Sequence, residues 1–333
     1  MSASTFLDHE LLLKFIDLSL NKFKNLKYLL NFRYGFSLDK LENEVVKRSF
    51  KEISNISIEG AWITLILYYN IIFREKTKWH FFKDEVKNIL LIPNLLYINE
   101  YLDMMEYEWS ELVIKILNNG RNIDFAIHIT REIVKFCSGN IYKFNYEMYF
   151  QNIFKYLIAH YFECIWLELS KGILSDDVTY FNLMHIIGAR IDFNDNFEES
   201  MRNNLEEKNG LLFKNKNDLI IEWCHNNKPI APIRIARYIP IFSNNKRDSW
   251  HPFALKFIDE FGNDEKVLIE ISANMGTYSW TGSVVPLLIA EKKLYEILST
   301  NKNIAVQNWA KKNIHYIEEN IKKQRIWDDE LYL

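Results

Sequence analysis

Ten glycines and six prolines in 333 residues constrain this chain more than any motif in it. β-Sandwiches and nucleotide-binding α/β folds spend glycine on tight turns and phosphate loops, so this scarcity points to long helices joined by short connections. Hydrophobic residues at 48% and aromatics at 15% supply a large packed core. The length exceeds what one core usually organises, so two domains or a repeat array are expected.

The apolar spacing agrees. In LLLKFIDLSLNKFKNLKYLL, Leu11, Phe15, Leu18, Phe23, Leu26, Leu29 and Leu30 recur mostly at three and four residues, the period of a helix face. Asp39 and Glu42 have the spacing of a capping box. Further helices are predicted over 58–76, 82–91, 98–118, 124–137, 146–174 and 177–189, the last capped by Ser175. Residues 190–218 turn dense in Asn, Asp, Glu and Lys, which marks a polar connector. Five of the six prolines follow it, and each stops or restarts a helix. Short helices are predicted over 229–240, 252–261, 264–274, 284–300 and 304–323. Gly262 is expected as a left-handed C′ residue, with Asn263 or Asp264 capping the next helix.

The resulting expectation is an all-α protein: a helical N-terminal domain over 1–190, a connector over 191–218 and a helical-repeat domain over 219–333. Helix pairs recur about every 40 residues in the last part, as in HEAT repeats. Trp250, His251, Pro252, Phe261, Gly262, Ser272, Asn274, Gly276, Trp280, Gly282, Ser283, Pro286, Trp309 and Ala310 form a pattern there. It resembles the HEAT-like α-solenoid modules of bacterial phage-defence and conflict proteins. The resemblance implies a module that senses or binds another protein, either a toxin to be neutralised or a subunit of a defence complex. Large proteins of that kind carry an NTPase, but no glycine here is followed by lysine, so the end of a P-loop cannot be placed.

One pair has the form of a catalytic motif. Arg121 and His128 are seven residues apart, almost two turns, so they share a face if the helix reaches back to Arg121. Their spacing resembles the Arg-x(4–6)-His motif of HEPN-type ribonucleases. That resemblance implies a histidine taking the ribose 2′-hydroxyl proton and an arginine steadying the phosphate, without a metal. Arg74 and His80 give a second match, so the spacing alone does not discriminate. His160 and Cys164 sit at i and i+4, a metal-ligand spacing, but in apolar text that favours a buried core pair. Neither a metal nor another cofactor is expected.

The binding candidates lie in the C-terminal part. Arg234 and Arg237 can share a helix face, and Lys246 and Arg247 follow in the next loop. Together they would form a basic patch beside exposed aromatics such as Trp250. In the TYSWTGS loop, Tyr278 and Trp280 either recognise a partner or fold back to fill a gap between helices; Ser283 would cap the helix that follows. The near balance of 41 basic against 44 acidic residues makes nucleic acid a less favoured partner than protein. Residues 1–12 lack a basic segment before an apolar run, no apolar run is long enough to cross a bilayer, and Cys137, Cys164 and Cys224 are too scattered for a disulfide framework. A soluble cytoplasmic protein is the expectation.

Overall fold

The computed structural model describes residues 14, 43–97, 106–139, 146–187, 216–243, 247–275 and 282–331. Its described residues form thirteen α-helices and one 3₁₀ turn, with no strand; one isolated antiparallel bridge joins Phe242 and Trp250. The fold is all-α. The chain divides into two compact units, Met1–Ile187 and Gly188–Leu333. Most of the polar connector, the 11–30 periodicity and the capping box lie outside the described residues.

The first unit contains α1 (Asn43–Ile56), α2 (Ile58–Arg74), α3 (Trp79–Leu90), α4 (Glu106–Leu117), α5 (Ile123–Phe136), α6 (Tyr146–Leu174) and α7 (Asp177–Ile186). Almost the whole circumference of α2 is buried, from Gly60 through Tyr68 and again at Ile71 and Ile72, because α1, α3 and α4 all pack on it. The long helix α6 plays the same part for α4, α5 and α7. Its residues Ile153, Leu157, Tyr161, Ile165, Leu169 and Ile173, four apart, form a continuous buried ridge. A Cβ on Gly172 would stand 2.5 Å from Leu183 and 2.9 Å from Val134, so glycine is what lets α5, α6 and α7 converge.

Helix ends are closed by side chains. Ser57 accepts from the Gly60 amide at 3.0 Å and starts α2. The cap of α7 is Asp176 rather than Ser175: its carboxylate accepts from the Thr179 amide at 3.0 Å, while Ser175 donates back to the Gly172 carbonyl at 2.6 Å. An extended Asp before the first turn satisfies the N3 amide, which the serine one residue earlier does not do here. At the other ends, Tyr161 donates to the Leu117 carbonyl at 3.1 Å and Asn182 to the Cys137 carbonyl at 2.9 Å.

The second unit contains α8 (Asn217–Asn226), α9 (Ile230–Ala236), α10 (Pro252–Phe261), α11 (Glu265–Met275), α12 (Val285–Leu298) and α13 (Ile304–Leu331). Consecutive helices α8 and α9, and α12 and α13, pack together, and α11 packs on both α9 and α13. His225 of α8 meets Glu260 of α10 at 3.1 Å and lies 4.7 Å from the Phe261 ring. Gly262 ends α10 with φ −69°, not in the left-handed region expected for it. Glycine is needed for another reason: a Cβ would stand 2.4 Å from the Ile258 carbonyl oxygen and 2.5 Å from Val306 of α13. Asp264 then caps the following helix, accepting from the Lys266 amide at 2.9 Å.

Candidate functional site

Two of the four cations predicted to form a basic patch, Arg237 and Arg247, are engaged within the fold. Arg237, just past α9, forks onto Glu270 of α11, with Nε–Oε2 at 2.6 Å and Nη2–Oε1 at 3.1 Å. This planar two-point pair ties neighbouring helices and is a poor candidate for a partner's carboxylate. Arg247 has φ 55° and lies over the Phe242 ring, 4.9 Å from its centroid. Its charge also opposes the desolvation that pushes the half-buried Glu291 carboxyl above its usual range. Arg234 is half-buried on α9; Lys246, Tyr278 and Trp280 lie outside the described residues.

Trp250 is not the exposed aromatic expected beside that patch. It is buried, its indole donates to the Leu294 carbonyl at 2.9 Å, and Tyr295 meets it edge-on at 6.2 Å. The bridge that places it is closed by His251 N–H to Ile241 at 2.7 Å and Ser243 N–H to Ser249 at 3.0 Å. Behind it, Trp309 of α13 donates to Ser272 of α11 at 2.9 Å and stacks edge-on to Tyr295 at 5.1 Å. Two tryptophans of the sequence pattern, Trp250 and Trp309, are therefore pegs between helices. Ser283 does serve the start of α12, accepting from the Val285 amide at 3.2 Å, and it donates to Asp328 at 2.5 Å.

The outward side of α13 carries what the loop text does not. Val306, Ala310, Ile317 and Ile321 face inward and are buried. On the other side Tyr316 and Trp327 are 65% and 67% exposed. Eleven residues bring them within about 20° of one another around the helix and about 16 Å apart along it. The exposed Lys323 and half-exposed Asn320 lie between them, and exposed Ile326 stands beside Trp327. Periodicity missed this pair because the same helix has a complete buried stripe; only an eleven-residue spacing of aromatics off that stripe could have marked it.

Arg121 and His128 are not carried by one helix. α5 begins at Ile123, after Asn122, and Arg121 is an exposed residue before it. Asn122 closes the end of α4, its amide donating to the Ile116 carbonyl at 3.0 Å. His128 is half-buried, and its Nε2 is enclosed and makes no hydrogen bond. Desolvation, set against Glu132 and a hydrogen bond to the Leu90 backbone, holds its pKa below the ordinary value. An imidazole closed in this way is a packing group between α3 and α5. Arg74 and His80 are both exposed, the histidine lying 3.8 Å from the Phe81 ring.

His160 and Cys164 are not a buried core pair either. His160 is exposed and packs against Tyr156 at 4.4 Å with the rings tilted by 41°, and Cys164 is half-exposed. Among the described residues no group of three or more His, Cys, Asp or Glu side chains is gathered to hold a metal. Cys137 and Cys224 are buried free thiols; burial pushes both up, Cys224 to about 12. No described helix is long and apolar enough to cross a membrane. Comparison with family models, curated proteins and solved structures gave no match.

Proposed function

We propose that this chain is a protein-binding module of a bacterial conflict system, either an immunity-type protein that neutralises a toxin or a subunit of a defence complex. The reading takes the second unit as a short HEAT-like solenoid. Its support is the packing of helices two apart in sequence, α8 with α10, α9 with α11 and α11 with α13, as stacked pairs require. The observation that carries recognition is the exposed Tyr316–Trp327 face of α13. Tyr and Trp dominate the energetic centres of protein interfaces, and here both are presented by a rigid element. The conflict-system setting comes from the sequence pattern over 250–310. A cytoplasmic site of action suits three cysteines that form no disulfide.

Affinity capture from native cells tests this reading. The wild-type chain is expected to retain a defined protein partner, and Tyr316→Ala/Trp327→Ala to lose it at least tenfold with an unchanged melting temperature. His128→Ala is expected to retain the partner. RNA cleavage by the wild-type chain that His128→Ala abolishes, or capture indifferent to the α13 pair, would sink it.

A further inference from the structure

The first unit carries a second surface, separate from α13, that local sequence patterning does not single out. Four aromatic rings from three helices line up across it. Phe73 stacks on Tyr69 within α2 at 5.8 Å and 22°; Tyr69 meets Tyr107 of α4 edge-on at 6.1 Å; Tyr107 meets Tyr149 of α6 edge-on at 6.2 Å. These rings are not core. Phe73 is 69% and Tyr107 47% exposed, and Tyr69 and Tyr149 are half-exposed. A contiguous run of aromatic surface on a folded chain marks an interaction site more often than chance.

The charges beside the ladder decide what it can hold. Glu111, exposed, lies four residues on from Tyr107 and shares its face of α4; Glu108 is buried next to it. Burial first, then a hydrogen bond with Tyr107 and the negative charge of Glu111 and Glu108, push the Tyr69 phenol above its ordinary value. Of the two, Glu111 is the carboxylate open to solvent beside the ladder. The exposed Arg74 sits one residue past Phe73, about 100° around α2 from the ring face. Aromatic rings beside carboxylates repel phosphate, which disfavours nucleic acid. They attract cations, because a ring face carries negative electrostatic potential and the carboxylates add to it.

We propose that Phe73, Tyr69, Tyr107 and Tyr149, with Glu111, form a docking strip for a basic peptide segment, its lysine or arginine side chains lying over the rings. The strip is long enough for several such side chains in extended chain, whose same-side residues recur at about 6.6 Å, close to the spacing of the rings. This inference does not depend on the α13 face, and each can fail alone.

Fluorescence anisotropy of the full chain with a fluorescein-labelled (Lys-Gly)₄ or (Arg-Gly)₄ peptide tests it, with a (Glu-Gly)₄ peptide and single-stranded dT₁₀ as competitors. Saturable binding is expected, weakened at least tenfold by Phe73→Ala/Tyr107→Leu and several-fold by Glu111→Gln. It should be unchanged by Glu52→Gln, an exposed carboxylate of α1. Circular dichroism and melting curves separate loss of binding from loss of fold, since both replaced rings are exposed. If Phe73→Ala/Tyr107→Leu does not fold, Glu111→Gln and Tyr107→Phe decide the matter, the second being expected to bind normally. Non-saturable binding, equal loss in Glu52→Gln, affinity unchanged in the folded ladder variants, or tighter binding of dT₁₀ or (Glu-Gly)₄ would each overturn the assignment.

Discussion

Two histidines do structural work only while neutral. His251 opens α10 with its Nδ1 accepting from the Phe253 amide at 3.2 Å, and burial holds its pKa below the ordinary value. His128 is depressed likewise, chiefly by desolvation, with Arg131 and Lys135 acting in the same direction and Glu132 against it. A depressed histidine pKa means that the unfolded chain binds protons more readily, so stability rises with pH through the window. It is complete above about 6.5 and falls as pH drops below that, towards the folded values. Glu291, raised by burial, contributes in the opposite sense, so variants are a cleaner test than the wild-type slope. Replacing His251 by Asn, which caps without titrating, and His128 by Gln should flatten the decline in melting temperature between pH 7.5 and 5.5. An unaltered decline in the double variant would show that neither ring is held neutral by the fold.

At the scale of elements, most helices were legible because a buried stripe at helical spacing and a proline or polar break define each one. α6 and α10 fall where the sequence places them, at 146–174 and 252–261, and α13 runs eight residues further than its apolar stripe, to Leu331. What the sequence did not show is which side chain meets which neighbour. Arg237 reads as a surface cation but forks onto Glu270, and Trp250 reads as a loop aromatic but is a peg against Tyr295. Both partners lie more than thirty residues away, where local patterning carries no information. Gly262 is the sharpest case, since its sequence signature is that of a left-handed cap and its cause is the close approach of the Ile258 carbonyl and of Val306. Gly262→Ala should therefore cost about 2 kcal/mol by overpacking, more than a helix-favouring glycine-to-alanine change would suggest. Val306→Ala in the same chain should recover part of that loss in urea melts. A neutral or stabilising Gly262→Ala would mean that the α10–α13 approach is looser than described.

For the molecule as a whole, each of the two units has its own core and its own run of exposed aromatics, Phe73–Tyr149 in one and Tyr316–Trp327 in the other. Of the side chains that sequence spacing offered, His128 and Trp250 are taken up in packing and Arg237 in a helix-to-helix pair, while Arg121 is exposed before the helix that carries His128. Recognition by contact is the reading this distribution supports, and α13 is the element on which it rests. The most direct measurement places a photo-crosslinking benzoylphenylalanine at position 327, and in a second chain at Glu52, in native cells. The account predicts one discrete protein adduct from position 327 and none from position 52. No adduct at 327, or the same adducts from both positions, would contradict it.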